Sequence, residues 1–175
     1  MAALTHFPKI RLTELVSRFG GVSRDDAIAQ AKSELAAMQG QGNEVIEGSI
    51  KTLEKIVFTP AERNRYSEEQ LKQILVLCDQ IVTLAGTFGY VALDQTTRSL
   101  CDVTDGLLRT KKADIASIHV HMRALQMVNP KAPPLKEQQI NTMLGELRKI
   151  LAHHGFDQLS AAAETISQEE ISSSN

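Results

Sequence analysis

"LDQTTRSLCDVTDGLL", residues 93–108, decides the fold. Leu93, Thr97, Leu100, Cys101, Thr104, Leu107 and Leu108 are spaced so that all seven share one face of an α-helix. A half-buried strand would alternate with a period of two, and no stretch of the chain does so. On the N-terminal side, "SEEQ" at 67–70 forms a capping box, with Ser67 as N-cap and Gln70 at the third helical position. Behind it come Leu71, Ile74, Leu75, Leu77, Cys78, Ile81, Val82, Leu84, Ala85 and Phe88. From residue 74 onward the apolar side chains go nearly all round. Such a helix is either central or has one face covered by a partner. On the C-terminal side, "RTKKAD" at 109–114 reads as a turn ending on the N-cap Asp114. Ile115, Ile118, Met122 and Leu125 make the next stripe. "NPKAPP" at 129–134 ends that helix and supplies proline for the first turn of another, lined by Ile140, Met143, Leu144, Leu147, Ile150, Leu151 and His154 and closed by Gly155.

Upstream, Ile10, Leu12, Leu15, Val16 and Phe19 have near-helical spacing, and Gly20-Gly21 stops that pattern. Ser23 with Asp26 opens a further helix with the stripe Ile28, Ala31, Leu35 and Met38. "GQGN" at 40–43 weakens it before a second stripe at Val45 or Ile46, Ile50, Leu53 and Val57. The expectation is two helices with a kink or break near Gly42, one long kinked helix being the alternative. The tail from Asp157 is polar and acidic and lacks a stripe, which predicts a mobile segment.

Composition fits this reading. The chain has 175 residues, 42% hydrophobic and only 4% aromatic, with no tryptophan. Aliphatic side chains must fill the core, which suits helix on helix. The net charge of −2 gives no basic excess to steer the molecule toward nucleic acid or an anionic membrane. Cys78 and Cys101 lie within apolar helical patterns and read as buried free thiols of a cytosolic protein. No signal peptide and no span long enough for a bilayer is expected. The best candidate, 74–93, carries Asp79, Gln80 and two glycines.

Candidate chemistry is sparse. No phosphate loop, zinc pattern or nucleophile elbow appears, and no metal or cofactor is expected. Gly20-Gly21 before a capped helix reads as a turn. His6 lies near the start of the sequence, and His153-His154 sit in a last helical turn, where positive charge suits the dipole. His119 and His121 are the more interesting pair, but two residues apart on a helix they cannot point the same way, so chelation by them alone is poor. Glu69 with Gln73 and Glu137 with Asn141 place an acid and an amide one turn apart, the pairing that a water-orienting phosphatase of chemotaxis type uses. Both acids also suit the first turn of a helix, where capping explains them.

"VTLAGTFGYVALDQTTRSLCDVTD", residues 82–105, resembles the core of the histidine phosphotransfer family. That family carries His-x-Leu-Lys-Gly on one helix, followed by small residues and a second antiparallel helix. Leu84, Gly86 and Gly89 match, and Leu93, Leu100 and Cys101 fall where the second helix would pack. Val82 stands at the phosphorylated histidine and Ala85 at the supporting lysine, so the family's phosphohistidine role does not carry over to this site. "LAGTFGYVALDQTTRSLCDVTDGL" and "IHVHMRALQMV" are also similar to small CheE-like helical proteins of bacterial chemotaxis and two-component systems. The resemblance covers about one helical hairpin and implies cytoplasmic signalling. A glycine inside a helix costs ~1 kcal/mol against alanine, so Gly86 and Gly89 need an offsetting reason, either close packing or close approach of a partner.

The resulting expectation is an all-α protein. Residues 63–156 form an antiparallel four-helix bundle, 1–62 supply additional N-terminal helices for bundle extension or dimerisation, and 157–175 form a mobile acidic tail. The expected function is a non-catalytic adaptor that binds a receiver or histidine-kinase domain through Val82, Ala85, Gly86, Thr87 and Gly89. Alternatives are an active phosphotransfer protein using His119 or His121, a receiver phosphatase, and a structural helical interaction protein. A homodimer would cover the 28–38 stripe.

Overall fold

The computed structural model describes residues 23–59 and 65–156. The expectations for the stretch before Ser23, His6 and Gly20-Gly21 included, and for the tail from Asp157 lie outside the described residues. Among these residues the structure is all-helical: α1 Arg24–Val57, α2 Glu68–Phe88, α3 Val91–Thr110, α4 Ile115–Met127 and α5 Glu137–His154.

Several boundaries have a local cause. The Ser67 hydroxyl accepts from the Gln70 amide at 3.1 Å, and the Gln70 side chain accepts from the Ser67 amide at 2.9 Å, so the capping box is complete. Gly89 closes α2 in the left-handed region at φ 74°. There the Tyr90 amide donates to Ala85 O at 2.8 Å and the Gly89 amide to Gly86 O at 3.4 Å, a Schellman closure. Asp114 caps α4 by accepting from the Ser117 amide at 3.1 Å. Gly155, at φ 72°, closes α5. The prolines of 129–134 lie in the connection before α5, whose first helical residue is Glu137.

The expected break near Gly42 does not occur: α1 runs unbroken through 40–43. Gly42 is instead a packing residue. A Cβ there would clash with the ring edge of Phe88, so only a hydrogen lets α1 pass the end of α2 this closely.

The chain divides into two compact units, Met1–Met38 and Gln39–Asn175, with the boundary inside α1. In the first unit the described residues are the opening turns of α1, and Ile28, Ala31, Leu35 and Met38 are exposed. In the second unit Ile46, Ile50, Leu53 and Val57 of α1 join one core with Ile74 and Ile81 of α2, Leu93, Leu100 and Leu107 of α3, and Ile118, Met122 and Leu125 of α4. Ala124, Leu144 and Leu147 form a smaller cluster between α4 and α5. Lys131 pairs with Glu47 and Gln126 with Glu54, tying the end of α4 and its following loop to α1. Lys131 and Lys51 together hold the Glu47 carboxyl down to about 2.

α3 is the central helix, packing against α2, α4 and α5. It buries Thr96, Thr97, Ser99 and Thr104 along with its aliphatic residues. Thr97 and Thr104 donate to Leu93 O and Leu100 O at 2.7 Å, so their hydroxyls enter the core with a partner. α2 is more apolar by sequence yet less enclosed, with Val76 at 70% exposure. By length and composition α2 would pass for a membrane span, contrary to the expectation that no segment does. Its Leu71, Ile74, Cys78, Ile81 and Ala85 are nonetheless buried, as in a core helix. Cys78 is buried and Cys101 half-buried, both as free thiols. A hydrogen bond with Cys101 and burial push the Cys78 thiol well up.

Candidate docking surface

The outer face of α2 is built from Lys72, Gln73, Val76, Asp79, Gln80, Thr83, Gly86 and Thr87, all exposed. Asp79 is the only charged residue between Lys72 and Asp94. The Thr83 hydroxyl donates to Asp79 O at 2.9 Å and that of Thr87 to Thr83 O at 2.8 Å. Both protons are spent on the helix itself, so the threonines offer solvent a methyl group and spare acceptor capacity. The face is therefore less polar than its residue names suggest.

The residues singled out from the sequence fall in different places. Gly86 is exposed, and a Cβ built there would meet nothing within 4 Å. Packing therefore does not account for it. Thr87 is exposed beside it and Val82 is half-buried at the edge of the face. Ala85 is fully buried in the core, so its side chain is not part of an accessible patch. Gly89 is explained by its left-handed closing role, which motif spacing alone does not reveal. The residue after it, Tyr90, fastens this corner: its hydroxyl donates to Asn43 at 2.8 Å and accepts from Gln39 at 2.7 Å. Gln39 and Asn43 are one turn apart on α1, and nothing local in the sequence marks their link to a residue about fifty positions on.

The two candidate phosphoacceptors differ from each other. His121 is fully buried. Its Nδ1 lies 2.7 Å from Ser117 O, which can only accept, so Nδ1 carries a proton. Its Nε2 lies 2.9 Å from Ser99 Oγ, and burial lowers the ring's pKa, so the neutral ring accepts there from the serine. Neither nitrogen faces solvent. His119 is half-buried and donates from Nε2 to Val57 O at 3.0 Å. The Tyr66 hydroxyl donates to the same carbonyl at 2.8 Å, and burial pushes that phenol up to about 12. Together they satisfy the last carbonyl of α1. The ring of His119 also packs 4.9 Å from that of Phe58.

A second polar cluster joins α4 to the end of α5. His154 Nε2 lies 2.7 Å from Asp114 Oδ2 and 3.1 Å from Ser117 Oγ, while Ser117 Oγ donates to Asp114 Oδ2 at 2.5 Å. Burial raises the Asp114 carboxyl, but hydrogen bonds from Ser117 and the charge of nearby His154 outweigh it and hold the group below its ordinary value. This is not a nucleophilic triad. The serine proton goes to the aspartate rather than to the histidine, and one ring nitrogen serves both neighbours. His154 stacks on Phe156, whose ring would lie 2.5 Å from a Cβ at Gly106. The cluster anchors the end of α5.

Of the acid–amide pairs, Glu69 and Gln73 touch at 3.5 Å and border an open groove of about 330 Å³ lined by Thr52, Ile56, Lys72, Val76 and Leu77. Glu137 and Asn141 are exposed in the opening turns of α5. Among the described residues no group of three or more His, Cys, Asp or Glu side chains is placed to hold a metal ion. No protein-family model matches the chain, and neither a curated protein nor a solved structure matches it.

Proposed function

We propose that the chain is a non-catalytic, phosphotransfer-like adaptor of bacterial two-component or chemotaxis signalling. On this reading α2–α5 form an antiparallel four-helix bundle, and a receiver or histidine-kinase domain docks on the outer face of α2 in the cytoplasm. The observation that carries it is Gly86: an exposed helix glycine, with open space above it, on a face whose only charges are Lys72 and Asp79. A flat, charge-poor surface suits an apolar partner helix, and docking of that kind requires neither the histidine nor the lysine that Val82 and Ala85 replace. The buried His121 and the carbonyl-bound His119 favour binding without phosphotransfer.

Glu69 and Gln73 at the rim of an apolar groove on the same helix favour a second reading, a receiver phosphatase. One assay separates the readings. The chain is incubated with receiver domains labelled by acetyl phosphate, and retained label and receiver dephosphorylation are both followed. The adaptor reading predicts no acid-labile label on the chain and an unchanged receiver lifetime. Label lost in His119→Ala would make the chain an active phosphotransfer protein. A shortened lifetime restored in Gln73→Ala would make it a phosphatase.

A further inference from the structure

Cys78 and Cys101 stand level with each other on neighbouring helices. Cys78 is ten residues before Phe88, the last of α2, and Cys101 is ten residues after Val91, the first of α3. Only Gly89 and Tyr90 separate the two helices, so the chain reverses at once and α2 and α3 pack side by side as an antiparallel hairpin. At 1.5 Å per residue, both cysteines lie about 15 Å from the turn. Both also face inward. Cys78 belongs to the buried series Ile74, Cys78, Ile81 and Ala85, and Cys101 packs against the same core. A hydrogen bond joins the two thiols, and neither is in a disulfide. They differ in access: Cys78 is fully buried, whereas Cys101 is half-buried.

We propose that Cys78 and Cys101 are a reversible oxidation site, at which hydrogen peroxide closes a disulfide between α2 and α3. Cys101 reacts first, because it is the thiol that solvent reaches. Its sulfur attacks one peroxide oxygen, the O–O bond breaks, one water leaves, and Cys101 becomes a sulfenic acid. The Cys78 sulfur, already in contact, then attacks the Cys101 sulfur. The S–O bond breaks, and the hydroxyl leaves as a second water with the Cys78 proton. The two thiols lose two electrons and two protons, and the peroxide gains them. The second step starts and ends with neutral groups, which suits a thiol buried in an apolar seam. A dithiol reductant reopens the bond by attack at the accessible Cys101 sulfur and is itself left as a disulfide. The crosslink lies on the opposite side of α2 from its outer face, and the proposal does not depend on the signalling reading.

The test uses the full chain, reduced and folded, with hydrogen peroxide added in steps. Each sample is quenched in acid, unfolded and alkylated, and its intact mass and crosslinked peptides are measured. Circular dichroism is followed in parallel. The expected result is a single chain that has lost two hydrogens, with both thiols disappearing together and a peptide pair joined through Cys78 and Cys101. The helical signal stays, and dithiothreitol restores both thiols. In Cys78→Ala a dimedone probe should trap the Cys101 sulfenic acid about tenfold more than in wild type, because the resolving sulfur is gone. The wild-type masses decide the outcome whether or not this variant folds. Two thiols that stay alkylatable, or a Cys101 that stops as its sulfenic or sulfinic acid while Cys78 remains free, would overturn the proposal. So would a crosslink between two chains, or one that forms only as the helical signal is lost, since the two sulfurs would then meet outside the folded hairpin.

Discussion

Gly86 occupies an open helical turn, whereas Gly106 lies under the ring of Phe156, 2.5 Å from where a Cβ would stand. Gly89 has neither neighbour but holds a backbone angle, φ 74°, that side chains resist. Three substitutions by alanine should therefore diverge. Gly86→Ala should gain ~0.5–1 kcal/mol through helix propensity. Gly106→Ala should lose ~1–3 kcal/mol, because the ring must shift within a filled site. Gly89→Ala should lose ~1–2 kcal/mol to left-handed strain. Urea denaturation of the three variants checks this, and a Gly86→Ala variant less stable than wild type would put an unrecognised packing contact at that turn. Sequence alone leaves packing and docking open for Gly86 because both predict a glycine; only the space above its Cα distinguishes them. Ala85 and Gly89 pass for surface residues in the sequence for a related reason. A motif match fixes spacing, whereas burial and left-handed closure depend on where α3 packs and where α2 stops.

At the level of elements, the stripe of α3 and the caps Ser67 and Asp114 are legible because each depends on residues within a turn or two. Which helix is central is not. The apolar run of α2 makes that helix the natural choice, yet α3 is the more enclosed, and its Thr97 and Thr104 enter the core by donating back to their own helix. The continuity of α1 is obscured by Gly40 and Gly42, which resemble helix breakers until the ring of Phe88 is set against Gly42. The contact of α3 with α4 carries a pH signature. His121 sits between Ser99 and Ser117 O, and burial lowers its pKa. A group whose folded pKa lies below its unfolded value, near ~6.5 for histidine, stabilises fully above that value and loses its contribution as the pH falls. Stability should therefore decline as the pH falls below about 6.5, above the range in which carboxylates such as Asp114 protonate. Denaturation midpoints across that window should fall for wild type and stay flatter for His121→Gln, which cannot gain a proton. Equal slopes in both proteins would mean that the pKa of His121 does not differ between the folded and unfolded states.

For the whole molecule, the all-helical class follows from composition and from the 3.6-residue rhythm, both readable without coordinates. The long-range links are hidden because each joins residues far apart in sequence: Tyr90 to Gln39 and Asn43, Lys131 to Glu47, His154 to Asp114. The outer face of α2 stays exposed, with Gln80 accepting from Ser49 of α1 at its margin. The central claim is that this face receives a receiver domain, and titration of isotopically labelled protein with unlabelled receiver domains from the same genome tests it most directly. The account predicts saturable amide shifts confined to the surroundings of Val76, Thr83, Gly86 and Thr87 for at least one receiver. It also predicts loss of those shifts in Gly86→Leu, with thermal stability retained. Shifts centred on another face, or a Gly86→Leu variant that binds as wild type does, would contradict it.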